Sequence, residues 1–169
     1  MAGSDGLETY LVRARELGAL DARVIDAESV SVAAWVRLKC RYGCGGYGSS
    51  LCCPPNSPTP EETREVLRGY RRALLIHRKT QEGLTAMMVA LERELFLGGH
   101  YKAFALGSGP CTLCRECSLD HCAHAGQARP SMEACGIDVF ATARANGFPI
   151  EVVTTPDSDR NHFGLLLVD

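Results

Sequence analysis

Long apolar runs are missing from this 169-residue chain: the longest, Ala86 to Leu91, is far too short to cross a bilayer. An excess of charge is missing too. Lys and Arg number 18 against 20 Asp and Glu, and the net of −2 gives neither nucleic acid nor an anionic membrane an electrostatic reason to bind. The amino-terminal MAGSDGLETY lacks a basic start followed by an apolar stretch, so no secretory signal is expected and a soluble cytoplasmic protein is. There is no G-x-x-x-x-G-K-[ST] phosphate loop, no G-x-S-x-G nucleophile turn and no H-E-x-x-H pair, and GSGPC at 107–111 is too short for a dinucleotide fingerprint. Glu61, Glu62 and Glu65 cluster at a helix start, where the macrodipole explains them better than acid–base catalysis does.

What the chain does have is cysteine, nine in all. An odd number cannot pair completely, and structural disulfides are rare in the cytoplasm. Cys40, Cys44, Cys52 and Cys53 form one group and Cys111, Cys114, Cys117 and Cys122 a second. Thiolates gathered this closely repel one another unless a cation or a cluster sits between them. The second group opens with thiols at every third position, C-x2-C-x2-C, a spacing that lets each sulfur reach a different iron of one cubane. Zinc sites more often use two separated C-x2-C pairs. Cys122 is the natural fourth ligand, although its gap is one residue longer than in a bacterial ferredoxin run and Ala123, not Pro, follows it; it could instead serve the first group.

In the first group Gly43, Gly45, Gly46 and Gly48 lie between the thiols, and glycine lets peptide N–H groups approach a sulfur closely. Cys52 and Cys53 are expected to serve different surroundings, because adjacent side chains of an extended segment point to opposite sides. Pro54 orients Cys53 as the ligand, and Cys52 is expected to face the core as a small apolar residue. Cys135 stands open between a remote ligand and a buried helical cysteine. His121 and His124 flank Cys122 and read as hydrogen-bonding neighbours of sulfur, while His77, His100 and His162 read as structural. Arg41, Lys102, Arg115 and Arg129 are cations near the thiols, of the kind that surface solvation usually accounts for.

Periodicity sketches the scaffold. Leu7, Tyr10, Leu11, Ala14 and Leu17 mark a first helix, with Asp5 and Glu8 as a capping box and Gly18 past its end. Residues 30–39 read as a strand leading to Cys40. Thr59, Pro60 and Glu62 start a helix that Gly69 stops, residues 72–79 form a buried strand, and Leu84 to Leu95 an amphipathic helix ending near Gly98. A strand over 101–106, a helix from an N-cap at Ser131 to Ala145, and strands over 150–153 and 163–168 complete the set. The expected architecture is α/β or α+β: a mixed sheet flanked by about four helices, in a single metal-binding domain over 1–169. Its cysteine-rich loops, at about 40–58 and 107–130, would project from one edge.

At KCRYGCGGYGSSLCCPPNSPTPEET and at CTLCRECSLDHCAHAGQARPSMEACGID the chain resembles the predicted metal-binding proteins grouped as domain of unknown function family 2284, over most of its length. The resemblance implies ligation by Cys40, Cys44 and Cys53 in the first motif and by Cys111, Cys114, Cys117 and Cys122 in the second. It leaves Cys52 out, an aromatic or polar residue standing there in the family, and it carries no reaction.

The leading expectation is a soluble protein with one or two [4Fe–4S] clusters, acting in electron transfer with a partner protein or as a redox accessory to an enzyme. Seven ligands are one short of two fully ligated cubanes, so Cys135 or Cys52 completes the set or one iron stays open. That gives one alternative, an enzyme whose open cluster at Cys40, Cys44 and Cys53 is a Lewis acid, with Tyr42, Tyr47 and His121 as candidate proton donors. The other alternative is Zn2+ tying the loops to the sheet.

Overall fold

The computed structural model describes residues 6–169. Asp5 of the expected first capping box lies outside them. Four strands form one sheet in the order β1-β2-β4-β3: β1 is Asp21–Asp26, β2 Arg72–Arg78, β3 Phe104–Leu106 and β4 His162–Leu167. All three pairings are antiparallel, in registers such as Ala22↔Ile76, Leu75↔Leu165 and Leu106↔Leu165. The expected mixed sheet is therefore corrected to an antiparallel one, and the fold is α+β. The one parallel bridge, Gly107↔Ser131, lies outside the strands.

Both faces of the sheet are covered, which explains why β2 is buried at every interior position instead of alternating between apolar and polar. Leu74, Ile76 and Leu166 face helix α1 (Glu8–Glu16) and helix α4 (Leu84–Leu97), packing on Leu11, Met88, Leu91 and Leu95. Leu75, Phe163 and Leu165 point the other way, onto Leu67 of helix α3 (Pro60–Arg68), Met132, Ile137 and Ala143 of helix α5 (Val139–Ala145). Helix α3 begins as its sequence implies: Thr59 Oγ1 accepts from the Glu62 amide at 3.1 Å and the Glu62 carboxylate accepts from the Thr59 amide at 2.8 Å.

Three elements differ from expectation, each for a local reason. Residues 30–39 are not a strand. Only Val32 pairs, in a bridge to Ile137, and helix α2 (Val36–Gly43) follows, built from good helix formers such as Arg37, Leu38 and Lys39. The helix expected from Ser131 to Ala145 is broken at Gly136, whose φ of +79° only glycine adopts freely. Ahead of it stands a 3₁₀ turn (Glu133–Cys135) that Ser131 Oγ caps by accepting from the Ala134 amide at 3.0 Å; behind it Asp138 starts α5 by accepting from the Ala141 amide at 2.9 Å. Residues 150–153 join no sheet. Ile150 is buried and gives its carbonyl to the Arg144 guanidinium, while Val152 and Val153 stay exposed. Among the described residues no helix is long and apolar enough to cross a membrane.

Candidate metal centre

Cys40, Cys44 and Cys53 share a cavity with Ser108, past the end of β3, and with His162, the first residue of β4. The first motif is brought there by pairing remote from the sheet itself. Ser31 to Ala33 run alongside Gly136 to Asp138, with Ala33 N–H donating to Gly136 O at 2.9 Å and Asp138 N–H to Ser31 O at 2.8 Å. This lays α2 against the Glu133–Cys135 turn. Cys40 sits in the last turn of α2 and Cys44 caps its end, one helical turn on, so both sulfurs share a helix face.

Beyond Cys44 the chain folds back on itself. Gly48 N–H donates to Pro54 O at 2.7 Å, Cys53 N–H to Ser50 O at 3.2 Å and Asn56 N–H to Cys53 O at 2.9 Å. The Gly46 amide donates to Cys44 Sγ at 3.4 Å, and both Cys44 Sγ and Cys53 Sγ lie within 4 Å of the point a Gly46 side chain would start from. Ser57 and Thr63 hydroxyls donate to Ala134 O and Cys135 O at 2.6 and 2.7 Å, pinning the loop's exit to the same turn. Cys40, Cys44 and Cys53 accordingly line one cavity of about 350 Å³, together with Glu133, Asn161 and His162.

The second motif hangs from β3. Gly107 N–H donates to Pro130 O at 2.8 Å and Met132 N–H to Gly107 O at 3.1 Å, closing the loop at its base. A side chain at Gly107 would start 2.2 Å from Thr85 Oγ1, so this base needs glycine. On the exit side, the half-buried Arg129 binds both oxygens of Glu92 from Nε and Nη2 at 2.8 and 2.6 Å and also reaches Ala125 O and Ala128 O. Arg129 is thus a structural clamp and not a solvated surface cation. Cys111, Cys114, Cys117 and Cys122 line a cavity of about 120 Å³ with His121 and His124, and Cys52 joins them there.

Cys52 and Cys53 do face different surroundings, yet Cys52 leaves the core altogether. Its thiol is pushed up to about 12, first by burial and then by Cys111 and Cys122 beside it. Cys135, in contrast, is a core residue packed with Met132, Ile137 and Leu165, and burial pushes its thiol to about 12 as well. Burial raises the Cys40 thiol too, helped by Cys44 and opposed by the guanidinium of Arg37. Desolvation by the atoms around it raises the carboxyl of Glu133, although the residue as a whole keeps an exposed surface. His77 is structural: it stacks on Phe163 at 4.7 Å and its Nε2 meets Asn161 Oδ1 at 2.7 Å.

Of the proposed proton donors, Tyr47 lines the first cavity, His121 the second, and Tyr42 stands 75 % exposed. Glu133 and Asn161 were not singled out by the sequence, although Glu133 belongs to the RPSMEACGID motif. None of the nine cysteines is paired in a disulfide. Among the described residues, no three His, Cys, Asp or Glu side chains stand arranged around a common point as a metal ion would hold them. What fits a metal is the donor set: soft thiols in number, grouped in two cavities.

The sequence pattern of the predicted metal-binding protein family DUF2284 matches residues 23–168. The chain belongs to this family. The match spans both cysteine groups and all four strands but β1's first two residues. No curated protein and no solved structure matches the chain.

Proposed function

We propose that the protein is an iron–sulfur protein of DUF2284, with a [4Fe–4S] cluster at Cys111, Cys114, Cys117 and Cys122 that passes electrons to a partner protein or to an associated enzyme. One observation supports this most: four thiols in the series C-x2-C-x2-C-x4-C line a single small cavity. Cys40, Cys44 and Cys53 are the ligands of a second, three-thiol site. A cluster bound there supplies one-electron chemistry and, with one iron lacking a thiolate, a Lewis-acid centre.

The chain's own groups have defined parts in this reading. The Gly46 amide offsets charge on Cys44 Sγ, and the Arg37 guanidinium favours the thiolate of Cys40. The Glu92–Arg129 clamp holds the second loop's exit, and the Gly107 pairings hold its base. Unpaired thiols in this number suit a reducing compartment such as the cytoplasm.

The reading is tested by Cys114→Ser and Cys44→Ser in anaerobically purified protein. Electron paramagnetic resonance of the reduced protein is expected to lose one cluster signal in each variant, a different one each time. Loss of bound zinc in place of a paramagnetic signal refutes it and gives the structural-zinc alternative.

A further inference from the structure

The three-thiol cavity does not end at the cysteines. It runs into a second, more apolar cavity of about 550 Å³, and the two share Cys40, Cys44, Ser108, Glu133, Asn161 and His162 along their common wall. The walls of the apolar part come from three separate elements: Trp35 at the start of α2, Phe140 on α5, and Val152 and Val153 on the unpaired segment before β4. Three of these are left in water, Trp35 at 50 %, Val152 at 63 % and Val153 at 48 % exposure. Large apolar groups converging on one cleft, with a few polar groups at its closed end, are the usual build of a small-molecule site of 300–1,000 Å³.

The polar end narrows the chemistry. Asn161 Oδ1 is taken by His77, which leaves the Asn161 amide N–H groups as donors, and Ser108 and His162 add further donors. Glu133 and the thiols are the acceptors; no Arg or Lys lines the cysteine cavity, and in the apolar part the single cation, Lys39, stands against the acidic Glu133, Asp138 and Glu151, so the lining as a whole is acidic. A head group there must both donate and accept hydrogen bonds and must not add negative charge to an acidic lining. We propose that this cleft binds a small uncharged amphipathic molecule, an alcohol or primary amide whose head lies at Cys40, Cys44 and Glu133 and whose apolar body lies along Trp35, Phe140 and Val152. The site stands on the cleft's geometry, and only the head's contact with an open iron rests on the cluster reading.

Trp35 is the chain's single tryptophan, so its fluorescence reports the cleft without a label. The probes are 3-phenylpropan-1-ol, 3-phenylpropanamide and 3-phenylpropanoate, which share a body and differ in the head, titrated into anaerobically purified protein. The alcohol and the amide are expected to change Trp35 emission saturably and to bind at least about tenfold more tightly than the carboxylate, about 1.4 kcal/mol. Phe140→Ala and Val152→Asp are expected to weaken the alcohol about tenfold each, with the far-ultraviolet dichroism unchanged.

No saturable change, an equal or tighter carboxylate, or unaltered binding in both variants overturns the proposal. Iron and sulfide measured on the same sample keep the two readings apart. A cluster without probe binding sinks the cleft alone, and probe binding without a cluster sinks the cluster reading alone.

Discussion

Breaking the Glu92–Arg129 pair from one side should cost about 3–5 kcal/mol, because it strands a charge that has little access to water. The Arg129 side chain is 12 % exposed and that of Glu92 15 %. Their two charge-assisted hydrogen bonds, at 2.8 and 2.6 Å, contribute about 1.5–3 kcal/mol each, which reaches the same range from the other direction. Glu92 Oε2 also accepts the Ala105 amide of β3 at 2.7 Å, so the pair joins α4, the sheet and the exit of the second cysteine loop. Arg129→Met leaves a carboxylate with one backbone donor, and Glu92→Gln leaves a guanidinium with no carboxylate, one amide oxygen and the Ala125 and Ala128 carbonyls. The double variant removes both charges while the Gln oxygen still serves Ala105, and it should cost less than either single change. Urea denaturation under reducing conditions, on protein as purified and after metal removal, separates folding from metal linkage. Single variants that cost less than about 1 kcal/mol, or a double variant that costs the sum of the two, would refute the clamp.

Gly136→Ala puts a side chain into a backbone with φ +79° and 2.7 Å from Pro60 Cγ, so it should destabilise by more than about 1 kcal/mol. The control, Gly126→Ala, meets nothing within 4 Å and should stay within about 0.5 kcal/mol of the parent in the same urea titration. The acid limb of stability should depend on Arg72, whose guanidinium hydrogen bonds hold the Asp169 carboxyl below its usual range. A lowered folded-state pKa contributes stability above the unfolded value, about 3.9, that is lost as pH falls through the folded value. Urea midpoints taken from pH 6 down should therefore fall less steeply in Arg72→Leu than in the parent; parallel curves would count against the pair.

Local signals carried the scaffold where they were self-sufficient. Thr59, Pro60 and Glu62 announce α3 because a capping box and a first-turn proline are complete within four residues, and Leu84 to Leu95 announce α4 by their spacing alone. Residues 30–39 misled because Val30, Val32 and Val36 favour strands, while the pairing of Val32 with Ile137 depends on a segment far along the chain. The same limit applies at the site. Alternation along the chain separates Cys52 from Cys53, but nothing near position 52 says that the 111–122 loop packs against it. Cys135 stands open in the sequence between a remote ligand and a buried cysteine, because the packing that decides it, on Met132, Ile137 and Leu165 of β4, is assembled only in the fold, where it is buried. The cleft beside the first group was not legible at all, since Trp35, Phe140 and Val152 come from three separate elements.

Iron, zinc and acid-labile sulfide counted per chain in anaerobically purified protein test the central claim most directly. Two cysteine sites that each hold a cubane predict about eight iron and eight sulfide with a brown chromophore. Zinc at one or two per chain, with no sulfide and no colour, would contradict it.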